Sequence, residues 1–146
     1  MKRILYIAAL ICLCGLMTAG CRSTKPKDGT YRAELSDKAT EDNQGWREYM
    51  EITYKDGEIT EVHYDGIDSD GRLKSELTLE EYPMDPHPSE WVAKMNENIT
   101  KGKTSDKLEG IAGATRSSRN ARLLMKHIEK AAAEGNPSVS IVDTVT

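Results

Sequence analysis

The segment of the sequence best suited to chemistry is residues 109–118, which is small, glycine-punctuated and rich in hydroxyl groups. Its small side chains let the backbone approach a ligand closely. The segment comes directly before the most regular amphipathic helical pattern of the chain. A helix N-terminus presents unpaired N–H groups and the positive end of a dipole. Together these features predict a pocket for a phosphate or another anion.

Three side chains at the end of this segment could contact such an anion. Arg116 would add a charge-assisted hydrogen bond, and Ser117 and Ser118 would add two hydroxyl groups. The two serines have an alternative role as plain helix caps, because serine is a favoured capping residue. Their role therefore stays open between anion binding and capping.

The sequence contains no pattern for a metal site or an independent catalytic centre. The acid-rich residues 65–71 fail the spacing of a calcium-binding EF-hand loop, because placing Gly71 sixth puts Gly66 first and Leu77 twelfth. No pair of histidines has metal-ligand spacing, and no Ser/His/Asp set is visible. The three histidines are His63, His87 and His127. We therefore expect a polar turn, rich in Asp and Gly, at residues 65–71.

The first 20 residues have the pattern of a secretory signal peptide. Lys2 and Arg3 precede an almost wholly apolar run, which ends in the small residues 18–20. The apolar run is short for a stable membrane span, although a membrane helix is the alternative. Residues 18–21, Thr-Ala-Gly-Cys, resemble the lipobox of bacterial lipoproteins. The resemblance implies that Cys21 is lipidated and becomes the mature N-terminus; a chance cysteine after an ordinary signal peptide is the other interpretation.

Cysteine content and net charge argue against two further properties, a disulfide framework and a nucleic-acid-binding surface. The other two cysteines, Cys12 and Cys14, lie inside the predicted signal peptide, so the mature chain has no disulfide framework. The net charge of the whole chain is −4, and removal of a segment with two basic and no acidic residues makes the mature chain more acidic still. A uniform nucleic-acid-binding surface is therefore unexpected.

The first half of the domain has the alternation of a small antiparallel sheet. Strands are predicted at residues 30–35, 46–54 and 59–64, with Met50, Ile52 and Tyr54 facing inward. Residues 55–58 contain the Asp-Gly signal of a tight hairpin. Residues 36–45 form a polar run, which predicts a loop. A sheet of this size needs a helix to cover one face.

The second half predicts two main helices. The first begins at Ser89 as its N-cap, with an apolar face at Trp91, Val92, Met95 and Ile99. The second runs from about residue 117 to residue 134, and Gly135 ends it. Its apolar positions recur every three or four residues: Ala121, Leu124, Met125, Ile128, Ala131 and Ala132. The expected fold class is α+β, with an antiparallel sheet of three or more strands packed against two main helices.

We divide the chain accordingly. Residues 1–20 are the signal peptide, residues 21–27 a basic tether, residues 28–135 the folded domain and residues 136–146 a C-terminal tail. The tether would sit well beside anionic lipid headgroups; a plain flexible linker is the alternative. The tail alternates weakly and either adds an edge strand or frays.

Three segments together resemble the FMN-binding domain, found in flavoprotein subunits of bacterial ion-pumping redox complexes and in lipid-anchored extracellular flavoproteins. The segments are residues 28–31 (DGTY), 52–62 (ITYKDGEITEV) and 112–118 (AGATRSS). The similarity spans about residues 28–135. The last segment, in its place before a terminal helix, is the most specific of the three.

In that family a threonine accepts FMN through a phosphoester bond, which a separate flavin transferase makes from FAD. The family pattern is Asp, two variable residues, Ser or Thr, Gly, Ala, and Thr or Ser, and it corresponds to residues 109–115. Thr115 matches the acceptor, and Gly113 and Ala114 match the motif. Glu109, the position that the transferase would recognise, replaces the Asp, and Ala112 replaces the Ser or Thr.

The resemblance implies a membrane-anchored FMN carrier of electrons at the cell surface or periplasmic face, with FMN bound covalently to Thr115 or non-covalently beside it. Its implied partners are the membrane, through its lipid, a flavin transferase and a membrane redox donor. The flavin ring needs an apolar or aromatic wall, for which the candidates are Trp46, Tyr82, Met84 and Trp91. The alternatives are a lipoprotein that keeps the fold without a flavin, and a reductase with its own small substrate.

Overall fold

The computed structural model describes residues 25–143, which form one four-stranded sheet covered on one face by helices. The strands are β1 (Gly29–Leu35), β2 (Arg47–Lys55), β3 (Glu58–Ile67) and β4 (Ser140–Val142), in the spatial order β3-β2-β1-β4. The helices are α1 (Asp37–Asp42), α2 (Pro88–Gly102) and α3 (Thr115–Glu134). The α+β class is confirmed. The predicted signal peptide and Cys21 lie outside the described residues.

Strands β1, β2 and β3 form the predicted antiparallel meander. The β2–β3 hairpin turns at Asp56 and Gly57, whose φ angles are 53° and 78°. Two successive left-handed residues define the tight turn that an Asp-Gly pair favours, because its twist matches that of the flanking strands. Met50, Ile52 and Tyr54 point into the core, as their alternation predicts.

The C-terminal tail contributes the fourth strand. Strand β4 pairs with β1 in a parallel register, with Ala33 opposite Ser140 and Leu35 opposite Val142. The sheet is therefore mixed. Of the two possibilities predicted for the tail, an edge strand or a frayed end, the structure has the edge strand. Val142 is buried, whereas Ile141 is 58% exposed on the other side of the strand.

Helix α3 closes the core against β1 and β2. Every residue of its predicted apolar stripe is buried, and Gly135 ends the helix in the left-handed conformation with a φ angle of 70°. Helix α2 packs on β3 with the predicted apolar face. Its buried residues include Trp91, Val92, Met95 and Ile99.

Several predicted elements and boundaries were wrong. Strand β3 continues to Ile67, three residues beyond its predicted end, because residues 65–67 of the expected polar turn pair with residues 47–49 of β2. The polar run predicted as a loop contains α1, because the Ser36 side chain accepts a hydrogen bond from the Ala39 N–H and so caps the helix. Helix α2 begins at Pro88 and its N-cap is His87, whose ring accepts from the Ser89 N–H. Helix α3 begins two residues earlier than predicted, so that Thr115 and Arg116 belong to its first turn.

Candidate functional site

The predicted anion-binding segment opens onto a cleft of about 280 Å³. One wall is the start of α3, with Gly113, Ala114 and Thr115. The opposite wall comes from the segment before α2 and from α2 itself, and it includes Tyr82 and Trp91. Residues from segments far apart in the sequence therefore meet at the start of α3, where we predicted the anion site.

The bend before α3 depends on Gly113, whose φ angle is +83°. A Cβ atom built on Gly113 would lie 2.4 Å from Cδ of Pro86, so the bend also approaches the opposite wall closely. The Ala114 N–H donates to the Ile111 carbonyl across the bend, at 3.1 Å. Only glycine combines this conformation with such a close approach.

The first turn of α3 has no N-cap side chain to accept hydrogen bonds from its backbone N–H groups. Its N-cap is Ala114, which makes no side-chain cap, and the first turn holds no acidic residue. Alanine is a poor N-cap, costing about 1 kcal/mol relative to serine or aspartate. The Thr115 side chain is exposed at this same turn. An anion bound here would accept hydrogen bonds from these N–H groups in place of a cap side chain.

Arg116 lies at the rim of the cleft and connects α3 to α1. Its Nη1 donates to the carbonyl oxygen of Asp42 at 2.8 Å, in the last turn of α1. This contact brings Asn43 and Gln44 onto the cleft wall. The guanidinium group has five N–H donors, so it retains donors for an anion while it holds α1 in place.

Ser117 and Ser118 do not offer free hydroxyls to the cleft. Both are buried, and Ser117 Oγ donates to Oε1 of Glu48 at 2.6 Å. Ser118 Oγ donates to the Ala114 carbonyl at 2.8 Å and accepts from the Ile111 N–H at 2.9 Å. Ser118 therefore braces the bend, and Ser117 binds a carboxylate beneath the helix start. Neither serine is the helix cap of the second interpretation, because the N-cap is Ala114 and has no side-chain cap. Ser117 lines the cleft, with its hydroxyl bonded to Glu48.

A buried polar cluster supports the helix start from below. Glu48 is fully buried on β2, and its Oε2 atom has no hydrogen-bond partner among residues 25–143. Tyr64 donates its hydroxyl to the Ser117 carbonyl at 3.3 Å. Burial, with the neighbouring Glu48 carboxylate, raises the pKa of Tyr64 well above its ordinary value. The Tyr64 hydroxyl therefore stays protonated and acts here as a donor.

Three of the four candidate wall residues line the cleft. They are Tyr82, Met84 and Trp91. Trp46 supports them from behind, because its ring meets that of Tyr82 edge-on with centroids 6.1 Å apart. The Trp91 Nε1 atom is buried and has no hydrogen-bond partner in the described part of the chain. The indole N–H is therefore an unsatisfied donor inside the wall, enclosed by the protein.

One further cleft residue, Lys74, was not predicted and has no distinguishing pattern around it in the sequence. Its side chain lies on the cleft wall and is 5% exposed. Its Nζ lies 4.9, 5.1 and 5.8 Å from the ring centroids of Tyr82, Trp46 and Trp91. A lysine in a polar segment is normally solvated, and this one becomes buried because three aromatic residues from separate segments surround it.

Two positions of the motif face away from the cleft. Glu109 is exposed and lines a different cleft of about 540 Å³, beside Lys101, Lys103 and Lys107. Its carbonyl accepts from the Asn98 side chain at 3.1 Å. Ala112 is exposed in the bend, outside the lining of the cleft beside Thr115. Both positions are accessible to a second protein, whereas neither borders the space beside Thr115.

Residues 25–143 contain neither a metal-binding cluster nor a membrane-spanning helix. That part of the chain holds no group of three His, Cys, Asp or Glu side chains arranged to bind a metal ion. Among the helices of the same residues, none has the length and apolar character needed to cross a membrane.

No family model matches the chain. The chain is 27% identical to the "15 kDa lipoprotein" of Treponema pallidum over 135 residues, which cover 90% of this chain and 93% of the relative. The crystal structure of the CPE2226 protein from Clostridium perfringens is similar in fold, with a TM-score of 0.73 and 28% identity over 82% of this chain and 99% of that one. A solution structure from Clostridium thermocellum gives a TM-score of 0.43 at 20% identity.

Proposed function

We propose that this protein is a membrane-anchored lipoprotein that binds FMN in the cleft beside Thr115 and carries electrons on the extracytoplasmic side. The observation that carries the proposal is a convergence of two sets of residues. The acceptor motif and the aromatic wall were predicted from separate parts of the sequence. Residues from both sets line one cleft: Thr115, Tyr82, Met84 and Trp91.

The residues of the cleft fit the two chemically different ends of FMN. The uncapped start of α3 and the rim guanidinium of Arg116 suit a phosphate. The aromatic wall of Tyr82, Met84 and Trp91 suits the ring. When bound, the flavin would supply the redox chemistry, and the chain would bind and orient it.

The size of the cleft fits a carrier better than an enzyme with an enclosed substrate. Small-molecule sites usually measure about 300–1,000 Å³, and this cleft, at about 280 Å³, lies just below that range. Part of the ring would therefore stay exposed and accessible to an electron donor or acceptor. The residues around the cleft do not require a second substrate, so we propose electron transfer without substrate turnover.

Anchoring through Cys21 accounts for the N-terminal sequence. A relative that covers 90% of this chain is named a lipoprotein, and the predicted signal peptide ends directly before Cys21. Several acyl chains on one residue give stable attachment to a membrane, where a single chain is marginal. A lipid-attached domain would meet membrane redox donors by diffusion in the plane of the bilayer.

The flavin-free lipoprotein is the second candidate, and specific observations favour it. Glu109 and Ala112 depart from the acceptor pattern, and both serine hydroxyls have partners inside the protein. No family model supports the flavin assignment. A transferase that requires the aspartate or the missing hydroxyl would leave Thr115 unmodified, and the cleft would then bind FMN non-covalently or not at all.

The test is co-expression with a flavin transferase, followed by intact mass and flavin fluorescence on a denaturing gel. Covalent FMN gives a fluorescent band in the wild type that Thr115→Ala abolishes. Thr115→Ser retains an acceptor hydroxyl and should keep the band, and Thr60→Ala, at an exposed threonine of β3, should keep it fully. A dark band together with FMN binding in titration supports the non-covalent form. A dark band with no binding refutes the proposal.

A further inference from the structure

We propose that Lys74 is the residue that makes this cleft select a phosphorylated ligand. The inference rests on the proposed function for the identity of that ligand, FMN. It assigns to one buried cation the discrimination between FMN and riboflavin, which lacks the phosphate.

The first step is the position of the charge. Lys74 is 5% exposed, so nearly all of its side chain has left water. Its stem packs over β3, where Cδ lies 3.4 Å from the point at which Gly66 would carry a Cβ atom. Among residues 25–143 its Nζ makes no hydrogen bond, and Lys74 is one of the residues that line the cleft.

The second step is the missing counterion. Within residues 25–143, Lys74 forms no ion pair at a distance of 4.0 Å or less. The three surrounding rings attract the ammonium through their faces. An aromatic ring carries no net charge, so the burial of this cation is only partly compensated. An anion entering the cleft would complete the compensation.

The third step is the charge of the cleft as a whole. The protein is acidic, with a net charge of −4, and yet no acidic side chain lines this cleft. Lys74 and Arg116 both line it, beside the positive end of the α3 dipole. A cleft with two cations and a helix N-terminus, on a protein of opposite net charge, favours an anionic ligand over a neutral one.

A purely structural role is the competing explanation, because the Lys74 stem also fills space over Gly66. Lys74→Met separates the two roles, since methionine keeps a long flexible stem and removes the charge. Lys74→Arg keeps the charge in a different shape. The matched control is Lys126→Met, which removes the same charge from an exposed position on α3.

The experiment measures the affinities of FMN and of riboflavin for each purified variant by quenching of flavin fluorescence. Hydrogen bonds to charged groups contribute about 1.5–3 kcal/mol, which corresponds to about 10- to 100-fold in affinity. We expect Lys74→Met to weaken FMN by that factor and to change riboflavin much less. Lys74→Arg should lose less than Lys74→Met, and Lys126→Met should resemble the wild type. Circular dichroism and a melting curve check that each variant is folded.

The outcomes separate this inference from the proposed function. An equal loss of FMN and riboflavin in folded Lys74→Met, or no loss of FMN, would overturn the inference and leave the flavin site standing. If the wild type binds neither flavin, the proposed function fails, and phenyl phosphate becomes the probe. Binding of phenyl phosphate that Lys74→Met abolishes supports the selection of phosphate monoesters, whereas no binding of phenyl phosphate by the wild type overturns both.

Discussion

Replacement of Gly113 by alanine tests whether the bend before α3 sets the shape of the cleft. The new methyl group meets two separate penalties. The φ angle of +83° is left-handed, which costs an L-residue about 1–2 kcal/mol. The added Cβ would also lie 2.4 Å from Cδ of Pro86, and overpacking of this kind costs about 1–3 kcal/mol more. The expected loss for Gly113→Ala is therefore about 2–5 kcal/mol.

The matched control is Gly71→Ala, in the turn that follows β3. Gly71 has almost the same φ angle, +82°, and a Cβ atom there would meet nothing within 4 Å. Both substitutions also restrict the unfolded chain in the same way, so these shared effects cancel. The difference between the two variants, about 1–3 kcal/mol, measures the contact with Pro86 alone.

Urea unfolding of the two variants and the wild type supplies the comparison, with an unchanged m-value as the condition for comparing midpoints. In a domain of this size, 1 kcal/mol corresponds to about 4 °C in melting temperature. FMN titration of the folded variants adds the functional measurement, and we expect Gly113→Ala to weaken binding more than Gly71→Ala. Equal destabilisation by the two substitutions would refute the view that the bend is held against the opposite wall.

Other expected outcomes concern the core, the support beneath α3 and the response to pH. Leu124→Ala, at a fully buried position of α3, should cost about 2–5 kcal/mol in urea unfolding, and Leu79→Ala, 64% exposed, should cost less than about 0.5 kcal/mol. Ser117→Ala removes the hydroxyl donor to buried Glu48 and should cost about 1–3 kcal/mol by the same assay. Burial raises the pKa of Tyr54 to about 12, above the value of about 10 in an unfolded chain. The folded state therefore holds this proton more tightly, so its contribution is complete below pH 10 and is lost as the pH rises towards 12; Tyr54→Phe should reduce the loss of stability measured over that range.

The regular elements were predictable because each depends on a local pattern that the final fold uses without change. Alternating residues place Met50, Ile52 and Tyr54 in the core, and the Asp-Gly pair at 56–57 closes the hairpin. The apolar stripe of α3 is buried as predicted. In these segments the periodicity, the turn chemistry and the burial all agree.

The predictions failed where a local signal is short or where it competes with another. Residues Asp37–Asp42 form a helix that Ser36 caps. They show no apolar stripe from which this helix could be predicted. At α2 the cap is the His87 ring, which accepts from the Ser89 N–H, so Ser89 lies inside the helix that it was predicted to cap. The parallel direction of β4 follows from the path of the chain after α3, which periodicity does not encode.

The candidate site divides in the same way between local and distant contributions. Residues 113–116 were accessible to prediction because glycine, small residues and a helix start are adjacent in the sequence. Lys74 was not, because its surroundings come from three separate segments, around Trp46, Tyr82 and Trp91. A lysine acquires a role of this kind only when the fold gathers rings around it.

Two departures of this chain from the rules for a stable fold lie together at the cleft. Helix α1 has a serine cap, whereas α3, the longest helix described, has Ala114 as its N-cap and no side-chain cap. Lys74 carries a buried charge without an acidic partner within residues 25–143. Each departure costs stability and could be removed by a common substitution, such as aspartate at the cap. The proposed anion would satisfy both, since it would accept from the free N–H groups of α3 and pair with the Lys74 ammonium.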